Sequence, residues 1–220
     1  MNSHAEIATA LLEALAQQEK KTADWHREQA GDALFLPQHE HEMVPPLPLE
    51  GPDRFPAVVL QQHLCNYRLW HIEDCARRTD VSDSEIAACK RAIDKQNQQR
   101  NDLMEQIDQC LALLLAPLLP PYSADVKNTE SPGMAVDRLS ILALKIYHMR
   151  EETLRPDVDN AHRERCAQKL STLLEQREAL AQSLLHLLKE YVNGTKKPAL
   201  FFQFKMYNDP SLNPELYRKR

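Results

Sequence analysis

Apolar residues recur every three to four positions along most of the chain, which is the pattern of amphipathic α-helices. The helical stretches are roughly 5–29, 56–78, 83–115, 132–154 and 158–193. Ser82 stands three residues before Glu85, the spacing of a capping box. Pro132 suits the first turn of the fourth helix, and Gly194 suits the end of the fifth. Most connections are short, so we predict an all-α, antiparallel bundle of about five long helices.

The fourth predicted helix carries charges although it has no obvious polar face. In MAVDRLSILALKIYHM, residues 134–149, Leu139 and Ile146 lie on one side. Ile141 and Leu144 lie on the other side, among the polar residues Asp137, Lys145 and His148, and the helix also carries Arg138. An isolated buried charge is too costly to keep unless it is paired or hydrogen-bonded. We therefore expect these groups to face polar side chains of neighbouring helices.

The second and third predicted helices each carry a long polar stripe. The stripe of the second helix consists of His63, Asn66, Trp70, Glu73, Asp74 and Arg77. The stripe of the third helix consists of Lys90, Asp94, Asn97, Asn101, Glu105 and Asp108. A tryptophan among charges is typical of a partly buried cleft, where the indole N–H finds a partner. We predict that the three helices share one polar cleft, with a purely structural network of buried salt bridges as the alternative.

Composition and short motifs exclude several classes of protein. The net charge of −5 argues against a dedicated nucleic-acid binder, and with only four glycines the chain lacks phosphate-loop and dinucleotide fingerprints. We expect no signal peptide, and we expect no transmembrane segment because no apolar run is long enough to span a membrane. Five cysteines without CxxC spacing predict reduced, buried thiols in a cytoplasmic protein. The HEHE motif at 39–42 is interpreted as a solvated loop.

The chain is predicted to form one helical-bundle domain over residues 1–194, with a proline-rich connection at 30–55. Residues 195–220 form a separate C-terminal tail with six Lys and Arg against two Asp and Glu. We expect this basic tail to pack on the more acidic body, or else to dock on a partner or a membrane surface. The apolar segment ALFFQF within it suggests a short strand or an extended strap.

Three blocks of the sequence resemble one bacterial family. HLCNYRLWHIEDCARR, KRAIDKQNQQRNDLMEQID and ESPGMAVDRLSILALKIYHM are similar to the signature blocks of domain of unknown function 4254, over about residues 57–191. Serine stands in ESPG where the family pattern has threonine. The resemblance implies a cytosolic, all-helical protein encoded beside glycosyltransferases of lipopolysaccharide or other envelope glycans. It supplies no reaction.

The resemblance also points to functional positions, and it adds Arg100 and Asp102 to those found from the stripes. The complete set is His63, Asn66, Trp70, Glu73, Asp74, Arg77, Lys90, Asp94, Asn97, Arg100, Asn101, Asp102, Asp137, Arg138, Lys145 and His148.

The first function that these residues suggest is an enzyme or ligand-binding protein for a small anionic or sugar-phosphate ligand. His63 or His148 is the acid–base candidate, and its orienting carboxylate is Glu73, Asp74 or Asp137. Backbone donors at the start of the fourth helix could also hold the anion. The cations expected to hold the anion are Arg77, Lys90, Arg138 and Lys145.

Two other functions remain open. The second is a non-catalytic accessory partner of an envelope glycosyltransferase, docking through the tail and the proline-rich loop. The third is a metal site, for which the possible donors are His63, His71, His148, Glu73 and Asp74. The HExxH motif and the ExxH motifs of di-iron proteins are missing, so neither a metal nor a cofactor is predicted. The oligomeric state also remains open.

Overall fold

A computed structural model of the chain describes residues 3–28, 51, 53–204, 206 and 209–218, and over these residues it contains helices and no strand. The all-α prediction is therefore confirmed. The HEHE motif lies outside the described residues. The helices are α1 (His4–Glu28), α2 (Arg54–Ala76), α3 (Asp83–Leu115), α4 (Pro132–Leu154), α5 (Asn160–Val192) and the short α6 (Pro214–Tyr217). One 3₁₀ turn, Ala116–Leu118, follows α3 directly.

The predicted signals lie at the helix ends. Ser82 Oγ accepts from the N–H of Glu85, whose carboxylate accepts from the N–H of Ser82 at 2.8 Å, so the capping box is formed. Ser131 caps α4 by accepting from the N–H of Met134. Gly194, just after α5, has φ +72°, which is costly for any other residue, and a Cβ there would lie 2.8 Å from Pro120. The order and type of the elements are thus encoded locally.

The apolar core joins all five long helices. Ile7, Leu11 and Leu15 of α1 are buried in it, whereas Leu12, which shares their predicted stripe, is 44% exposed. Leu12 is exposed because one face of α1 is solvated. Among the other core residues are Phe55, Val58, Ile107, Leu111, Leu139, Leu184, Leu188 and Tyr191.

Helix α5 lies on the outside of the bundle. Only a few of its residues are buried, and Leu174 is 40% exposed. Arg177 ties it to α1, because its guanidinium pairs with Glu19 at 2.8 Å and donates to the carbonyl of Leu15 at 2.7 Å. That double contact links α5 to α1.

The sequence suggests a short strand or an extended strap after α5, and the structure contains no strand there. Residues 197–204 have no regular structure, and individual bonds hold them on the bundle. The N–H of Lys197 donates to the Val126 carbonyl at 2.9 Å, and that of Gln203 donates to Glu105 at 2.8 Å. Phe202 and Phe204 are 53% and 78% exposed. None of the described helices combines the length and apolarity that crossing a membrane requires.

Candidate functional site

Asp137 is the centre of a buried polar network between α2, α3 and α4. Its Oδ1 accepts from the side-chain amides of Gln62 and Asn66, the latter at 2.9 Å. Arg100 of α3 binds both carboxylate oxygens, with Nε at 2.7 Å from Oδ1 and Nη2 on Oδ2. The charge of Asp137 is thus neutralised by a bidentate guanidinium from another helix. This pairing raises the pKa of Arg100.

His63 lies beside this network, fully buried, with both ring nitrogens occupied. The Thr22 hydroxyl donates to the Gln18 carbonyl at 2.9 Å, so it accepts from His63 Nε2–H, also at 2.9 Å. Nδ1 must therefore be the acceptor, receiving the Ser140 hydroxyl at 2.8 Å. Burial lowers the pKa of His63 to about 3, so the ring is neutral. His63 is thus enclosed by its hydrogen-bond partners and lines neither of the two cavities described below, which indicates a structural role.

The neutral state of His63 makes stability depend on pH. In the unfolded chain its pKa is 6.5 and in the folded chain about 3, so only the unfolded chain gains a proton as pH falls through this range. We expect the free energy of unfolding to fall from pH 6.5 towards pH 3, and to fall less steeply in His63→Gln. Urea unfolding at several pH values measures the two slopes, with exposed His186→Gln as control. Equal slopes for wild type and His63→Gln would contradict this assignment.

A cleft of about 380 Å³ opens where α2, α3 and α4 meet, above the Asp137 network. Leu69, Ile141 and Leu144 form its apolar part. Its polar lining contains seven of the residues predicted from the sequence, and these are Asn66, Trp70, Glu73, Asp74, Arg77, Asn97 and Arg100. The structure thus brings the stripe of α2 to the middle of α3 and to α4.

Charges of both signs line the cleft. Arg77 is largely exposed and donates through Nη1 to the Glu73 carboxylate at 2.8 Å and to the Glu73 carbonyl at 2.5 Å. Among the described residues the side-chain hydrogen bonds of Arg77 all use Nη1, which leaves the rest of the guanidinium for an anion. Arg100 extends from the cleft to Asp137. The cleft therefore offers carboxylates, amides, one solvent-facing cation and an indole face.

A second cavity, of about 500 Å³, lies on the other side of Trp70, between α2, α4 and α5. Lys145, His148 and Lys169 are part of its lining. His148 stacks on Trp70, with ring centroids 4.7 Å apart and planes inclined by 10°. Its Nδ1 pairs with Glu151 at 2.8 Å. The carboxylate that orients His148 is thus Glu151, and none of the three carboxylates proposed from the sequence.

Five predicted residues lie elsewhere. Lys90 and Asp94 pair with each other near the start of α3, where Lys90 is 67% exposed. Asp102 is exposed and accepts from Gln98, and Arg138 is exposed and pairs with Glu130. Asn101 is buried without lining either cavity. A single layer containing every predicted residue is therefore not formed, because α3 is longer than its polar contact with α2 and α4.

The start of α4 does not offer an anion site. The N–H of Gly133 donates to Asp108 Oδ1 at 2.6 Å, and that of Met134 donates to its own cap Ser131. Both donors are thus used within the chain, and Ser131, Pro132 and Gly133 are buried. Burial raises the pKa of Asp108 to about 6.

Sequence reasoning overlooked several residues of the polar interior. Gln62 and Ser140 contact Asp137 or His63, and Thr22 and His26 reach the same region from α1. The available signal was the spacing of Gln18, Thr22 and His26, four residues apart, on a helix whose other inward residues are apolar.

Fold and cleft together define an all-α helical-bundle protein with a polar cavity between three of its helices. The chain belongs to the family described as protein of unknown function (DUF4254), whose model matches residues 56–200. The matched span runs from the first turn of α2 through α5, which confirms the resemblance inferred from the three sequence blocks. No curated protein and no solved structure matches the chain.

Proposed function

We propose that the protein binds a small anionic sugar derivative, such as a sugar phosphate, in the cleft between α2, α3 and α4. The observation that carries this proposal is the presence of Trp70, two carboxylates and Arg77 in one cavity of about 380 Å³. Cavities of roughly 300–1,000 Å³ are the size that small-molecule sites have.

Each part of the cleft suits one part of such a ligand. The indole of Trp70 offers a flat apolar face for the C–H face of a sugar ring. Glu73, Asp74 and Asn97 supply acceptors and amide donors for hydroxyl groups. The free side of the Arg77 guanidinium suits a phosphate oxygen. Arg100 is held by Asp137, so it serves as a rigid edge of the cleft.

The family resemblance gives this proposal its cellular setting. We propose that the ligand belongs to the synthesis of lipopolysaccharide or another envelope glycan, on the cytoplasmic side. The ligand class then includes sugar phosphates and nucleotide sugars.

Two neighbouring arginines provide a matched test. We expect a sugar phosphate or nucleotide sugar to raise the melting temperature of the wild type in a thermal-shift screen, and calorimetry to give its Kd. Trp70→Ala and Arg77→Ala should each weaken binding at least about tenfold, equal to roughly 1.4 kcal/mol. Arg78→Ala should leave Kd unchanged, because Arg78 pairs with Asp80 outside the cleft. Equal losses in Arg77→Ala and Arg78→Ala would refute the assignment.

The exposed apolar tail favours a second candidate, a non-catalytic accessory partner of an envelope glycosyltransferase. Leu200, Phe202, Phe204 and Met206 are 45–78% exposed on the segment that follows α5. Several large, exposed apolar side chains close together on one segment are typical of a surface that contacts another protein. An accessory subunit needs no ligand of its own. The absence of any stabilising compound in the screen would therefore favour this candidate over the first.

A further inference from the structure

Three histidines from three different helices meet beside Trp70. His26 comes from α1, His71 from α2 and His148 from α4, and one ring nitrogen of each lies within 4.8 Å of those of the other two. The ring centroid of His26 lies 5.1 Å from that of His71 and 5.0 Å from that of His148. The three half-buried rings therefore lie around one common point between α1, α2 and α4.

Two of these rings are oriented by acceptors on their outer side. His26 Nδ1 lies 2.7 Å from the carbonyl of Thr22, which can only accept, so Nδ1 carries the proton. His148 Nδ1 lies 2.8 Å from a Glu151 carboxylate oxygen, which places a proton there as well. In the neutral ring each Nε2 then presents its lone pair.

Those two Nε2 atoms are buried and have no hydrogen-bond partner among the described residues. Buried nitrogens without partners are uncommon in folded proteins, and a bound ion is one way in which such nitrogens are satisfied. The environment is otherwise aromatic: Tyr147 stacks on His26 with centroids 4.2 Å apart, and Trp70 stacks on His148. An ion at the common point would give both lone pairs a partner.

We propose that His26, His71 and His148 bind one divalent transition-metal ion, and we take Zn²⁺ as the probe that tests the site. Neutral imidazole suits Zn²⁺, Cu²⁺, Ni²⁺ and Fe²⁺, and three histidines with a water as fourth ligand are a known zinc set. Zn–N bonds of about 2.0–2.1 Å in a tetrahedral site need nitrogens about 3.4 Å apart. The three nitrogens lie within 4.8 Å of one another, so we expect the rings to move towards one another when the ion binds. A carboxylate or carbonyl on the outer nitrogen, as at His148 and His26, is the usual support for a metal-binding histidine.

A second cluster, Glu152, His162 and Cys166, is the competitor within the described residues. Its groups already satisfy one another, because His162 Nε2 lies 3.0 Å from Glu152 and 3.3 Å from Cys166 Sγ. It also joins only the end of α4 to the start of α5. The three-histidine cluster therefore carries the proposal, and the second cluster sets a control.

The test uses the full chain, stripped with a chelator and titrated with Zn²⁺ against a competing indicator dye. We expect one Zn²⁺ per chain and a melting temperature several degrees higher with the ion, because an ion that binds only the folded chain stabilises it. His26→Gln, His71→Gln and His148→Gln should each weaken Zn²⁺ binding at least about tenfold. His186→Gln and Cys166→Ser should bind as the wild type does.

X-ray absorption at the zinc edge of the loaded wild type gives a readout that needs no variant. Imidazole scattering from three nitrogen ligands supports the site. A wild type that binds no stoichiometric Zn²⁺, a zinc shell containing sulfur, or loss of binding in Cys166→Ser alone would overturn it. The sugar-phosphate screen is run on metal-free protein, so failure of the ligand proposal and failure of the metal proposal are separate results.

Discussion

Replacing Asp137 by alanine should lower the free energy of unfolding by about 3–5 kcal/mol, the usual cost of removing one partner of a buried ion pair. The reason is that four bonds end on this carboxylate: one each from Gln62 and Asn66, and two from Arg100. Without it the Arg100 side chain, only 25% exposed, keeps its charge with no counterion. Urea denaturation followed by circular dichroism at neutral pH measures the loss.

Asp94→Ala is the matched control. Asp94 pairs with Lys90 on the surface of α3, and exposed pairs of this kind contribute less than about 1 kcal/mol. The double variant Asp137→Leu with Arg100→Met should recover part of the loss, because it removes both charges from the interior. If Asp137→Ala costs no more than Asp94→Ala, the network does not have the stabilising role assigned to it.

Replacing Gly133 by alanine should lower the free energy of unfolding by about 3 kcal/mol, at the upper end of the usual range for overpacking. A Cβ at this position would lie 2.3 Å from the backbone carbonyl oxygen of Met104 and 3.0 Å from Asp108 Cγ. A backbone oxygen cannot rotate away from the new Cβ as a side chain can, so α3 and α4 must separate. The 2.6 Å bond from the Gly133 N–H to Asp108 would then lengthen.

The expected loss of stability in Gly133→Ala is opposite in sign to the usual effect of this substitution in a helix. Glycine to alanine in an ordinary helix is stabilising by up to about 1 kcal/mol, because alanine has the higher helix propensity. Ala179→Gly, on the exposed side of α5, should show that ordinary difference in reverse. Urea unfolding of both variants against the wild type decides the matter. A Gly133→Ala protein as stable as the wild type would show that the close crossing of α3 and α4 does not limit packing.

The helices could be predicted from the sequence because their signals are local. Ser82 with Glu85, Ser131 with Pro132, and Gly194 lie where a helix begins or ends, and the apolar periodicity between them is long. The apolar tail segment was open to more than one interpretation, because a short apolar run has no period that separates strand from strap. Its conformation depends on bonds to the bundle, such as that from Gln203 to Glu105.

The candidate site could be predicted in part. A helical period tells which side chains share a face, and Trp70, Glu73 and Arg77, which share one face of α2, line one cleft. The period does not tell how far along a long helix the contact with its neighbours extends. For this reason Lys90 and Asp94 were expected in the cleft, although they lie on the surface of α3. Nor does the period give the register between helices, on which the approach of His26 to His148 depends.

The two tryptophans of the chain lie in opposite environments, and this gives the protein an internal optical reference. Trp25 is 1% exposed and stacks on His63, whereas Trp70 borders both cavities. Indole fluorescence responds to nearby quenchers and to polarity. We therefore expect a molecule entering either cavity to change the emission of Trp70, whereas the buried Trp25 should respond mainly when the chain unfolds.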